Sequence, residues 1–518
     1  MKKRLMAFVL IIAILCPLLS SCSRENDSKF FLYIENEPQS LDPQSVSDTE
    51  GKLIIRNSFQ GLYEYDENGS AVLGAAVAHS QNPDGLTHFF TLRDDIKWSN
   101  GDKVTSADFV FAFRRLFDSR TGSEQRGEYY FIKNGQKIIN GELGFESIGV
   151  RALDEKTLVI ELDEYNIRFK ELLCEAGAMP CNQKFFEETK GRYGLEANKT
   201  LYNGALFVKS WIHGDSLALR RNPYTPKDNA PESLSIFIKS DTASYETAFI
   251  NERIDFLEAT ALTAHSLLNE KYTYQSEKVR SWAIVFNTNS QVFKNENIRK
   301  GLSLAFDRRA YSDKLWFGHE SSAMFIPSSV RGEAEASSTR FNEELAKEYF
   351  KRGLEELKLT RLPEAHIILP KTSVMEDALN YAGQVWQQHL GAYLGIMKLE
   401  KNEYEALLES GSFDAALVPI VPDDKSMYSY LSHFKTGNSK NVSEFSDSQF
   451  DELLLSALKD KNKESSNQKL IAAENILYEK AVIIPVCIES KYFFTGKGIK
   501  GLKYSFYSGI VDVTSAQK

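Results

Sequence analysis

The chain has 518 residues, is 26% charged and 42% hydrophobic, and carries a net charge of −9. That balance suits a globular protein able to bury large cores and excludes a disordered or collagen-like chain. No block of Lys and Arg offsets the acidic excess, which argues against nucleic acid or an anionic membrane face as partner.

The first segment reads as an address. Lys2, Lys3 and Arg4 precede an apolar run from Leu5 to Leu19 that contains Pro17 and ends at Leu19-Ser20-Ser21-Cys22. Small residues directly before a cysteine are what a lipoprotein-processing peptidase requires. The expectation is a signal peptide over 1–21, lipidation (diacylglycerol, palmitate) at Cys22 and a polar tether over 22–28. Removing 1–21 takes away three basic and no acidic residues, leaving 59 basic against 71 acidic, a net charge of −12. The remaining chain exceeds what a single core holds, so more than one domain is expected. Three cysteines remain, Cys174, Cys181 and Cys487. Cys174 and Cys181 are close enough in sequence to pair, while Cys487 sits in an apolar run as a small buried hydrophobe.

Strands and helices then alternate. The polar turn Ser99-Asn100-Gly101-Asp102 follows a strand over His88–Leu92. Thr105 opens a capping-box pattern, and its helix places Phe109, Val110, Phe113, Leu116 and Phe117 on one face. Thr157–Leu162 has the period of a strand. Gly214-Asp215 between two strand-like runs is hairpin chemistry, although Gly214-Asp215-Ser216-Leu217 also spells an esterase string. A helix is predicted over Ile298–Lys314, with Arg299, Asp307 and Arg308 as structural ion-pair residues. A strand over His366–Leu369, a helix over Val374–Leu394 and an apolar strand over Phe413–Val421 complete the pattern. Gly496-Lys497-Gly498-Ile499-Lys500-Gly501 lacks the strand, helix and acidic partner of a nucleotide site and reads as a loop. No histidine spacing indicates zinc, so neither cofactor nor metal is expected. With no nucleophile elbow, metal constellation or phosphate loop, the chain does not read as an enzyme.

Several segments together resemble a known family. Glu37-Pro38-Gln39-Ser40-Leu41-Asp42-Pro43, the stretch Leu92–Val110, Tyr202-Asn203-Gly204-Ala205, Ile254-Asp255 and Ile298–Arg308 occur in its order. Gly411-Ser412-Phe413-Asp414, Phe450–Leu454 and Ile484-Pro485-Val486 follow. The chain is similar to oligopeptide-binding proteins of bacterial ABC transporters, the family 5 extracellular solute-binding proteins of the peptide/nickel group. The resemblance implies an α/β, two-lobed periplasmic-binding-protein (type II) fold with an additional third domain and a cleft between lobes. Carried over, 29–60, 196–280 and 488–518 form lobe I, 61–195 the additional domain and 281–487 lobe II.

The implied function is that of a monomeric, lipid-anchored receptor on the extracytoplasmic side of the membrane. It captures a peptide ligand by hinge closure and delivers it to permease subunits served by a separate cytoplasmic ATPase. Cargo among such relatives also includes glutathione-like tripeptides, cell-wall peptides, haem and nickel chelates. A non-transport surface lipoprotein or adhesin is the reading from a different class.

A buried peptide amine needs a carboxylate partner. The family's amine-binding aspartate lies nine residues after the Asp of Gly-x-Phe-Asp, which here is Asp423, with Asp424 one register away. Val421 and Ile420 before it, and Glu37 and Gln39 near the N-terminus, are expected to meet the ligand. So are Trp282 and Asn287 near the second crossover. His433 is close enough in sequence to line the cleft, although a surface position is the plainer reading. Leu417 and Ile420 stand where the family often has an arginine and an aromatic residue.

Overall fold

The computed structural model describes residues 28–225, 230–239, 241, 243–268, 272–308, 310–312, 315, 317–332 and 341–518. The lipidation position Cys22 and the rest of the expected signal lie outside these residues.

Three large sheets, beside two of two strands each, organise the described residues, and each large one is built from strands whose apolar positions alternate or run continuously as their burial requires. The first has the spatial order Lys29–Ile34, Ser233–Ile238, Ser216–Arg221, Leu206–Ile212. Its first pair is parallel, with Phe30 opposite Leu234, and the other pairs are antiparallel. Gly214 adopts φ 73° in the turn between Leu206–Ile212 and Ser216–Arg221, so the Gly-Asp string is a hairpin. A second sheet of four strands, Ala76–Gln81, Thr87–Leu92, Thr157–Glu161 and Val150–Ala152, lies within the segment 61–195. The helix Ser106–Phe117 packs on it and buries Phe109, Val110, Phe113, Leu116 and Phe117 as its periodicity predicts. Thr105 and Asp108 close its first turn, the Thr105 N–H donating to Asp108 Oδ2 at 2.8 Å.

The third sheet, of seven strands, contains the two longest. Thr273–Phe286 and Ile483–Thr495 run antiparallel side by side, with register irregularities at Lys278/Arg280 and Trp282/Ala283. Their burial changes along their length. Residues 273–276 are exposed, whereas Ser281–Phe286 are all buried, as are Ile483–Cys487 on the partner. At the exposed end Phe256–Ala259 completes the sheet, and at the buried end Ala415–Ile420, Ala365–Pro370 and Leu394–Leu399 follow in order. Two strands thus tie both ends of the molecule together.

The buried end has its own core, including Trp282, Ile284, Ile298, Phe306, Leu369, Trp386 and Leu417. A larger cluster runs from Phe30 through the four-stranded sheets and takes in Ile420, Tyr430, Phe434, Phe450 and Leu477. Apolar packing is therefore continuous between the two ends.

Two helices are shorter than their sequence pattern. Glu296–Ala305, capped by the Asn295 side chain, stops before Phe306, whose backbone turns extended and whose ring stacks on Tyr311 at 5.1 Å. Glu376–Leu390 stops at Gly391, which takes the left-handed conformation of a helix C-terminus. Arg299 is structural, but not as one of three ion-pair residues. Its guanidinium donates to the carbonyls of Phe293, Lys480 and Ala481. Cys174, Cys181 and Cys487 are buried free thiols, so no disulfide joins the first two. Among the described residues no helix is long and apolar enough to cross a membrane, and no three metal-ligating side chains cluster.

Candidate functional site

The strand Ala415–Ile420 pairs along its length with Thr273–Phe286, but with Ala365–Pro370 only through Ala415 and Ala416. From Leu417 onward one edge of this strand lies beyond its neighbour's ladder. An edge of that kind can hold extended backbone from a ligand. Across the molecule, Lys29–Ile34 is the outermost strand of the first sheet.

The chain leaves Ala415–Ile420 through Val421 and Pro422 into an acidic turn. Pro422 fixes its own φ, and the short helix Met427–Leu431 fixes the rest. Ser429 Oγ accepts the backbone N–H of Asp423 at 2.7 Å and of Asp424 at 3.3 Å. Ser426 caps the helix and donates its hydroxyl to Asp424. The two carboxylates therefore project from one rigid turn, in different surroundings. Asp423 is 73% exposed and holds Lys440 Nζ at 2.8 and 2.9 Å. Asp424 is 31% exposed, and its Oδ2 accepts from Arg168 Nη2 at 2.6 Å.

Arg168 comes from the segment 61–195. Its other terminal nitrogen meets Glu128 at 3.1 Å, and its guanidinium lies 5.4 Å from the Tyr428 ring centre. Burial opposes the guanidinium charge, yet Asp424 and Glu128 outweigh it and hold Arg168 above the ordinary arginine pKa. Three more contacts join the same two regions. Lys459 pairs with Glu164 at 2.6 Å, the Ile167 N–H donates to Leu458 O at 2.8 Å, and Lys461 Nζ donates to Asp84 O at 2.7 Å. Beside the turn, Lys425 pairs with Glu277 at 2.5 Å, and Glu277 also accepts from Tyr507 Oη at 3.1 Å.

The charge of this cluster is unbalanced. Four carboxylates (Asp423, Asp424, Glu128 and Glu277) face three cations, Arg168, Lys425 and Lys440. His433 adds none near neutrality, because burial and then Lys440 press its pKa down to about 4. Its ring is buried, contrary to the surface position its sequence suggests, and its Nδ1 has no hydrogen-bond partner among the described residues.

The remaining sequence candidates have the following surroundings within the chain. Glu37 accepts from Trp211 Nε1 (2.9 Å), His213 Nδ1 (2.6 Å) and the Gly214 N–H (3.1 Å), clamping the hairpin beside it. Gln39 is exposed, and its N–H donates to Asp48. Trp282 is buried within its strand and donates to Glu489 Oε2 at 2.7 Å. The Asn287 amide donates to the carbonyls of Gly411 and Phe413 at 2.8 and 3.0 Å. Ile420 is buried in the larger core, Val421 is half-buried, and Leu417 points into the second core. Arg168, Glu128, Glu277, Lys440 and Tyr428 escaped the sequence reading. Nothing local marks Arg168, which stands 256 residues from its partner. A separate small cavity of about 20 Å³, partly open to solvent, is lined by Arg56, Gln60, Glu64, Cys174 and Asp512, outside the acidic cluster.

Two α/β lobes tied by two crossing strands, with a third sheet on one of them, define a binding protein of the two-lobed type II class. The chain belongs to the bacterial extracellular solute-binding proteins, family 5, whose middle-region model matches residues 71–441. These are binding proteins and not enzymes. Oligopeptide-binding protein OppA of Bacillus subtilis is 26% identical over 530 residues, covering 97% of each chain. Periplasmic murein peptide-binding protein MppA of Escherichia coli is 27% identical, covering 88% of this chain and 86% of its own. The solved structure of that murein tripeptide-binding protein aligns with a TM-score of 0.78 at 23% identity, over 95% of this chain and 98% of its own. The substrate-binding domain of an oligopeptide ABC transporter from Bacillus anthracis aligns at 0.74 and 24% identity, over 95% and 99%.

Proposed function

We propose that the chain is the lipid-anchored, extracytoplasmic binding component of an ABC peptide importer, with Asp423 as partner of the ligand's ammonium. The observation that carries this reading is the acidic turn itself. It stands at the end of a strand with an open edge, in a cluster one positive charge short of neutrality. A peptide with a free amine supplies that charge, and its backbone can extend the strand edge. The names of the relatives point the same way, and the Leu-Ser-Ser-Cys sequence ending at Cys22 supports the anchor.

In this reading 29–60, 196–280 and 488–518 form lobe I, 61–195 its additional domain and 281–487 lobe II. The strands Thr273–Phe286 and Ile483–Thr495 carry the hinge, and the closed receptor presents its ligand to the permease. The buried Tyr507 and the exposed Lys425 both meet Glu277, at the junction this reading gives the lobes.

The test uses the soluble chain from residue 22, with Cys22→Ser, and a pool of tri- to hexapeptides. Native mass spectrometry should retain free-amine peptides and release the same pool once N-acetylated. Asp423→Asn should weaken capture roughly tenfold or more, about 1.4 kcal/mol upward. Equal capture of the acetylated pool, or normal capture by a folded Asp423→Asn protein, refutes the assignment.

A further inference from the structure

The acidic turn offers two adjacent carboxylates, and a ligand ammonium has to choose between them. The choice matters, because moving the ammonium by one residue shifts the ligand's register against the strand edge. A one-residue slip sends every ligand side chain to the opposite face.

What holds each carboxylate differs in kind. Among the described residues the Asp423 carboxylate has only Lys440, and that lysine is 48% exposed. An exposed lysine pair is weak, and its hydrated, flexible ammonium is readily exchanged for another. Asp424 is bound by a guanidinium only 20% exposed, which also engages Glu128 and lies against Tyr428. Removing Asp424 from that guanidinium would leave a desolvated cation short of a partner and a second carboxylate, Glu128, to be rearranged. The Ser426 hydroxyl holds the other oxygen of Asp424. Both oxygens of Asp424 are thus engaged by its own chain.

We propose that Arg168 is the register-setting residue of the ligand site: by occupying Asp424 from the opposite side of the cleft, it leaves Asp423 as the carboxylate a ligand ammonium can claim. This rests on the reading of Asp423 as the ammonium partner. Arg168 touches the turn and not the ligand, so it is a positioning residue. Its effect is a difference between two carboxylates, not a contribution of its own to affinity. The same step also predicts which group leaves when ligand arrives: Lys440 swings into solvent while Arg168 stays.

The experiment is a mutant cycle read by capture of the free-amine tri- to hexapeptide pool. In the native background Asp423→Asn should lose roughly tenfold or more in affinity. With Arg168→Gln, Asp424 is freed to take the ammonium, and the Asp423→Asn loss should shrink to roughly threefold or less. Arg168→Lys keeps a cation at the turn and should restore the large loss. Asp424→Asn alone should weaken capture less than Asp423→Asn does, since its carboxylate is held by Arg168 and not by the ligand. An Asp423→Asn loss of equal size with and without Arg168 overturns the proposal, and so does an Asp424→Asn protein as weak as Asp423→Asn. Should Arg168→Gln fail to fold by circular dichroism, the Asp424→Asn arm decides alone. Normal binding by Asp423→Asn in the native background instead sinks the underlying ammonium assignment.

Discussion

Asp42 and Arg115 stand 73 residues apart and meet as a two-pronged pair, at 2.5 and 2.9 Å, with both side chains more than nine-tenths buried. Asp42 belongs to the Glu37–Pro43 motif, and the pair clamps that segment to the helix Ser106–Phe117. Asp42→Asn leaves the guanidinium without its charge partner, so unfolding free energy in urea should fall by about 3–5 kcal/mol. Peptide capture below the melting transition should be unchanged, because the pair lies outside the acidic cluster. A second buried system responds to pH. His88 Nε2–H donates to Gly85 O, which leaves His88 Nδ1 to accept from His79 Nε2–H, and His79 Nδ1 to accept from Tyr63 Oη. Burial foremost, then His79 and Lys170, lower the His88 pKa to about 4, with Gly85 O and Asp84 opposing. The unfolded ring titrates near 6.5, so this contribution is whole above that pH and is lost as pH falls from about 6.5 to 4. It amounts to on the order of 2–3 kcal/mol. Asp108 works in the opposite sense. Burial raises its pKa to about 6, so it gains stability on acidification. The native protein minus His88→Gln, compared by urea unfolding at pH 7 and pH 4.5, isolates the histidine. An identical pH slope in both proteins would rule its role out.

At the scale of elements, the chain's own pattern reveals most of the scaffold and only half of the site. The helix over Ser106–Phe117, the hairpin at Gly214 and the strand behind Asp423 follow from caps, glycine and apolar spacing, all of which are local. The acidic turn is legible for the same reason, since strand, proline and paired aspartates are adjacent. Glu37, Trp282 and Asn287 bond the scaffold, and in sequence polar groups in marked segments look alike whether they bond a ligand or the scaffold. Only their partners distinguish the two, and those partners lie 174, 207 and 124 residues away. Tyr202-Asn203-Gly204-Ala205 shows what such a motif does structurally. The Gly204 N–H donates to Ser58 O, and the Asn203 side chain exchanges bonds with the backbone of Gln60. A Cβ on Gly204 would meet Ser58 and Phe59 backbone atoms at 2.5 and 2.6 Å. Gly204→Ala should therefore destabilise by about 1–3 kcal/mol, the cost of overpacking, measured as a shift in the urea midpoint at constant slope. A stability equal to native would mean that the two segments separate without cost.

For the whole molecule, a set of polar contacts joins 61–195 to the region 424–461. One backbone hydrogen bond, two side-chain ion pairs and a lysine-to-carbonyl bond cross there. In the proposed receptor these bonds favour the closed arrangement, and ligand in the cleft favours it further. The pair Glu164–Lys459 is the cleanest handle, because it lies in the bridge but outside the acidic cluster. Its side chains are 29% and 39% exposed, which puts its worth at about 0.2–1 kcal/mol. Lys459→Glu places like charges against each other and should shift the open-to-closed ratio two- to fivefold at least, an estimate from about 1 kcal/mol. Small-angle scattering of the empty protein would then show a larger radius of gyration, and saturating peptide would restore the native value. The paired reversal, Glu164→Lys with Lys459→Glu, should return the empty protein to its native dimensions. If Lys459→Glu leaves the empty protein's scattering unchanged, the bridge does not govern closure, and apolar packing through Ile420, Tyr430 and Phe434 carries it alone.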